Sequence, residues 1–146
     1  MRGSSVAERW THNPEVGGAI PSSATNKEII MSMSLDVLRF ITACDQEPSR
    51  ENAELYFNLI KEEFEEYVVA HRLKDEVEML DACMDMIWVI LGFCHMKGYK
   101  VDAAWNEVAR SNLAKIDAAT GKVHKREDGK VLKPEGWKPP ELGGYV

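Results

Sequence analysis

The chain has 146 residues, of which 45% are hydrophobic, 8% aromatic and 29% charged. That supports one domain with a core and argues against a disordered chain. The net charge of -6 argues against a plain phosphate-backbone binder, and no stretch reaches the roughly 18 apolar residues of a membrane span. The opening segment carries no apolar run of signal-peptide length, and Cys44, Cys83 and Cys94 lack metal-type spacing. They read as reduced, core-filling thiols of an acidic cytoplasmic protein.

Residues 1–27 are rich in Gly, Ser, Pro and Thr without a sustained period, which predicts an extended arm. From Ser34 to Cys44, Leu35, Leu38, Ile41 and Cys44 recur at helical spacing, and the pattern stops before Pro48. Ser49 is placed to cap a second helix from about Arg50 to about His71, with Leu55, Leu59, Ile60, Phe64, Tyr67 and Val68 as its apolar stripe. A third helix runs from about Lys74 to about Met96. Its first turns look exposed, but Ala82 to Met84 and Met86 to Leu91 are apolar nearly all round, as in a bundle core or an oligomer interface. Gly98 stops it, and a fourth helix starts near Val101 and Asp102. Beyond about residue 114 the pattern changes to a short hairpin closed at Asp128-Gly129, followed by an irregular segment with Pro134, Pro139 and Pro140.

Charge is uneven along this order. Residues 1–113 hold 11 basic and 19 acidic side chains, and residues 114–146 hold 7 basic and 5 acidic. Within residues 62–85, nine carboxylates face only Arg72 and Lys74. An acidic body with a basic tail suits a site where cations and a polyanion meet, although an acidic solvated face would give the same counts. The pattern inside the acidic run is sharper. Glu62, Glu63, Glu65 and Glu66 precede Glu78 and Asp81, with Asp85 one turn further. Positions three and four apart share a helix face, so Glu63 converges with Glu66, and Glu78, Asp81 and Asp85 line one stripe. The eleven residues between the two groups leave room for two helix ends and a tight turn, so the faces can oppose. At least one of Asp81 and Asp85 is expected to be buried, and a buried unpaired carboxylate costs several kcal/mol unless something compensates it. Magnesium would, since it takes carboxylate oxygens and shares phosphate oxygens of a substrate; manganese would substitute. No P-loop, no Rossmann glycine pattern and no HExxH motif compete with this reading.

These residues resemble the MazG-type all-α nucleotide pyrophosphohydrolases, whose signature is EExxE, a gap, then ExxD. Glu62-Glu63 with Glu66, and Glu78 with Asp81, match it. The run from Glu107 through Arg110, Asn112, Lys115 and Asp117, then Gly121, Arg126, Lys130, Lys133 and Pro139-Pro140, is similar to the phosphoribosyl-ATP pyrophosphohydrolase-like branch. That branch includes the MazZ-type dGTP/dATP pyrophosphohydrolases of phages. The resemblance covers roughly residues 34–142. It implies that Glu63, Glu66, Glu78 and Asp81 are magnesium ligands and that Glu62 positions or deprotonates the attacking water. It also implies that Asn112 and Lys115 hold phosphate oxygens, with Arg110 and Lys133 as looser partners, and that Asp85 extends the site toward a further cation or the substrate. Trp88 reads as a core aromatic or a group approaching the base.

The expectation is therefore an all-α bundle with a small C-terminal hairpin, built as an arm over 1–33 and a domain over 34–146. It works as a homodimer or homotetramer in the cytoplasm (the host's, if phage-encoded), without membrane or nucleic-acid polymer. It hydrolyses a nucleoside triphosphate, preferably dGTP or dATP, to monophosphate and pyrophosphate. The alternatives are phosphoribosyl-ATP hydrolysis with the same carboxylates, and a non-catalytic helical oligomer that binds a partner.

Overall fold

The computed structural model describes residues 26–146, so residues 1–25 of the arm expected over 1–33 lie outside the described residues. Four α-helices and no strand occur among the described residues, and the chain divides into two units, one ending at Tyr99 and one spanning Lys100–Val146. The division falls earlier than the expected change of character near residue 114.

The first unit contains α1 (Asn26–Ala43), α2 (Arg50–Leu73) and α3 (Glu76–Lys97). Helix α1 begins within the expected arm, eight residues before Ser34, because Met33, Val37 and Ile41 continue one four-residue repeat that the Ser-rich composition obscures. Ser49 caps α2, its hydroxyl accepting the Asn52 N–H at 3.0 Å. Lys74 ends the helix in the left-handed region at φ 56°, and Asp75 caps α3 by accepting the Val77 and Glu78 N–H groups. Only these two residues join the helices, so α2 and α3 pack as an antiparallel hairpin, with α1 also against α3. Gly98, at φ 70°, terminates α3 as expected.

The core comprises Val37 and Ile41 of α1, Ala53, Tyr56, Leu59 and Ala70 of α2, and Ala82, Val89, Leu91 and Met96 of α3. At its centre the fully buried Tyr56 ring lies against Gly92, where a Cβ would overlap it, and its hydroxyl donates to Gln46 Oε1 at 2.8 Å. Several expected core positions are corrected. Leu35, Leu38, Leu55 and Phe64 are exposed, as is Cys44, because the helices carry more apolar positions than one chain covers and the inward stripes run through smaller residues. On α2 that stripe is Ala53, Tyr56, Leu59, Glu63 and Ala70, which puts a carboxylate in the row of core residues.

The second unit is α4 (Val101–Leu113) and the chain that returns to it. The expected hairpin is rudimentary: a single isolated bridge, Lys125 with Val131, flanks the Asp128-Gly129 turn, and a second, Ile116 with Val123, closes a separate turn through Gly121. The end of the chain is tied to α4 by the Lys100 N–H on the Tyr145 carbonyl at 2.9 Å and by the Trp137 indole N–H on the Ser111 carbonyl at 2.7 Å. No helix among the described residues is long and apolar enough to cross a membrane.

Candidate active site

Glu63 is the residue on which the site turns. It is 0% exposed, and neither carboxylate oxygen has a hydrogen-bond partner. Burial pushes its carboxyl up to about 8, and the charges of Glu66, Asp85, Glu62 and Asp81 push it the same way. Glu62 and Glu66 flank it on α2, whereas Asp81 and Asp85 act on it from α3 across the hairpin. Asp85 is half-buried, and burial, then Asp81, raises it to about 6. The expectation that Asp81 or Asp85 would lie inside is met by Asp85 in part, while Asp81 is exposed and the fully buried carboxylate is Glu63. Glu78 sits exposed one turn before Asp81.

Four further carboxylates, Glu66, Asp85, Glu62 and Asp81, thus act on Glu63 within one neighbourhood. Among the described residues no three His, Cys, Asp or Glu groups close into a ligand set. Burial first, and then the charge of these neighbours, favours the protonated form of Glu63. The residues fit a hard divalent ion: the donors are all carboxylate oxygens, and the central one is desolvated with both oxygens unpartnered. Trp88, two turns of helix from Asp81, packs edge-on to Phe40 with centroids 5.8 Å apart, and its buried indole N–H has no partner.

The expected phosphate-binding residues lie around the end of α4 in the second unit. The Lys115 ammonium donates to Asn112 Oδ1 at 2.9 Å, and the Asn112 amide donates to the Val108 carbonyl at 3.1 Å. Arg110 is engaged differently. Its guanidinium forks onto both oxygens of Glu107 at 2.8 and 2.7 Å and reaches the Pro139 carbonyl at 3.3 Å, while Glu107 also accepts the Glu141 N–H. Those bonds hold Glu107 well below the usual carboxylate range, the Arg110 hydrogen bond first, and make the pair a clamp on the C-terminal segment. A residue absent from the sequence reading stands beside Lys115: Trp137, whose ring carries the ammonium groups of both Lys115 and Lys133. Its only sequence signal is a single large aromatic within a Gly- and Pro-rich segment.

The family model for phosphoribosyl-ATP pyrophosphohydrolase matches residues 36–112. The matched span covers more than half of the chain and contains every carboxylate of the cluster together with Arg110 and Asn112. A search of curated proteins returns no match. A buried carboxylate among acidic neighbours on an α-helical hairpin and the family match over the same helices agree, and the chain belongs to the phosphoribosyl-ATP pyrophosphohydrolase family, among the MazG-like all-α nucleotide pyrophosphohydrolases.

Proposed function

We propose that the protein is a magnesium-dependent nucleoside triphosphate pyrophosphohydrolase of the MazZ type that prefers dGTP or dATP and releases pyrophosphate and the monophosphate. The observation that carries the metal is Glu63, a desolvated carboxylate with neither oxygen partnered, in the core row of α2 and acted on by four further carboxylates. Glu63, Glu66, Glu78 and Asp81 would hold the cation, with Asp85 extending the acidic stripe toward a second ion or the substrate. A bound divalent ion supplies a lowered pKa for the attacking water and charge neutralisation on the phosphate oxygens. Glu62 orients that water and takes its proton. Asn112 and Lys115 take phosphate oxygens, Lys115 as a point charge whose ammonium keeps donors beyond the one given to Asn112. Arg110 contributes chiefly by fixing the C-terminal segment against α4. The purine preference rests on the resemblance of the run from Glu107 to Pro140 to the branch that includes the MazZ-type enzymes, and no base-selecting motif carries it.

The active form in this reading is a homodimer or homotetramer in the cytoplasm. Val77, Leu80, Met84 and Ile87 support it: they recur at spacings of three and four along α3 and are all exposed. The test is a substrate panel of the deoxynucleoside triphosphates and phosphoribosyl-ATP with magnesium, scored for pyrophosphate. Fastest release from dGTP or dATP is expected. Fastest release from phosphoribosyl-ATP would overturn the purine preference, and no release from any nucleotide would overturn the enzymatic reading.

A further inference from the structure

The segment after α4 builds a cationic feature that the carboxylate cluster does not explain. The Lys115 and Lys133 ammonium groups lie 5.2 and 4.5 Å from the centroid of the same Trp137 ring. Neither takes part in an ion pair among the described residues. Two unneutralised ammonium groups repel, and the ring quadrupole attracts each of them only modestly, so the arrangement needs a rigid anchor. Trp137 has one. Its indole N–H is bonded to the carbonyl of Ser111, which is 2% exposed, and its backbone N–H closes a turn on the Pro134 carbonyl at 3.1 Å. That turn passes through Gly136 at φ 73°, a conformation glycine adopts without strain, and it folds Lys133 back beside the ring. Asn112 fixes the other ammonium from the α4 side.

Both lysines line a cavity of about 460 Å³ within this unit, which Asp117 and His124 also face. The one carboxylate there is already committed. Asp117 binds His124 Nε2 at 2.8 Å and accepts the backbone N–H groups of Ala119 and Thr120, which hold it below the usual carboxylate range, the His124 bond first. The cavity is therefore lined by two lysines outside any ion pair among the described residues and by one carboxylate that is already engaged.

We propose that Trp137 is the positioning residue of a polyphosphate-binding cradle, holding the Lys115 and Lys133 ammonium groups on one ring for a ligand with at least two phosphoryl charges. The assignment deepens the phosphate role given to Lys115 above and rests on it for the reaction, but the cradle is defined by this unit alone. A single carboxylate ligand would leave one ammonium unneutralised, whereas a diphosphate or triphosphate chain meets both.

The test uses the full chain with inorganic pyrophosphate as probe, in chelator so that divalent ions play no part, by titration calorimetry. Wild type binds. Lys133→Met and Trp137→Leu each weaken binding by about tenfold or more, while Trp137→Phe, which keeps an aromatic face, retains most of it. In turnover, Trp137→Leu raises KM far more than it lowers kcat. Unchanged pyrophosphate binding in Lys133→Met or Trp137→Leu would overturn the cradle. So would equal losses in Trp137→Phe and Trp137→Leu accompanied by a lowered Tm, because the ring would then be only structural. If the chain binds pyrophosphate through Trp137 yet releases none from any nucleotide, the cradle stands and the hydrolase reading fails.

Discussion

At the scale of single residues, Glu63 and Asp81 test the metal assignment. Glu63→Gln and Asp81→Asn keep side-chain shape and remove charge, so pyrophosphate release should fall roughly a hundredfold or more while the fold survives. Near-normal turnover in both variants would remove these residues from the site. The same cluster makes a prediction about pH. Glu63 is raised to about 8 from an ordinary 4.5, and Asp85 to about 6 from 3.8, burial leading in both. The folded state then binds protons more tightly than the unfolded chain, so the contribution to stability is complete below about pH 4 and is lost as pH rises toward 8. Metal-free protein should therefore melt several degrees lower at pH 8.5 than at pH 5.5, and Glu63→Gln should flatten that slope. Thermal melts in chelator measure it, and a Tm that rises over this range would contradict the burial of an unpaired Glu63. That Glu62, Glu63, Glu66, Asp81 and Asp85 come into one neighbourhood was legible from their spacing. That Glu63 is the buried one was not, because Leu55 and Phe64 look like better core residues and yet are exposed, while Ala53 and Ala70 turn inward.

At the scale of elements, helix ends were readable because caps are local. Ser49, Asp75 and Gly98 act through hydrogen bonds or dihedrals within a few residues of themselves. The start of α1 was obscured because Ser32 and Ser34 are weak helix formers and the Ser- and Thr-rich run before them reads as loop, and the hairpin after α4 reduces to a single bridge because one short turn has no sheet to join. The tightest helix contact depends on one residue. Gly92→Ala would drive a methyl group into the Tyr56 ring, and Tyr56 is fully buried with its hydroxyl held by Gln46. The ring cannot yield without opening the α2–α3 hairpin. The expected cost is about 1–3 kcal/mol, read as an earlier denaturant midpoint. A stability equal to wild type would mean that the helices slide apart freely, contrary to a packed core.

At the scale of the whole molecule, the exposed apolar row on α3 predicts self-association. Val77 is 75% exposed and Leu80 62%, and with Met84 and Ile87 they form one exposed apolar row. Sedimentation at micromolar concentration should give a dimer or tetramer, and Leu80→Glu combined with Met84→Glu should shift it toward monomer. A wild-type monomer would count against the shared bundle. In the proposed function the carboxylates of α2 and α3 would hold a divalent ion for hydrolysis of a nucleotide. The decisive measurement is product analysis of dGTP and dATP turnover by the purified chain, with magnesium, with chelator, and with magnesium restored. The account predicts pyrophosphate and the deoxynucleoside monophosphate in equal amounts, abolished by chelator and recovered on adding magnesium back. Orthophosphate with a diphosphate product, or turnover that chelator leaves untouched, would contradict it.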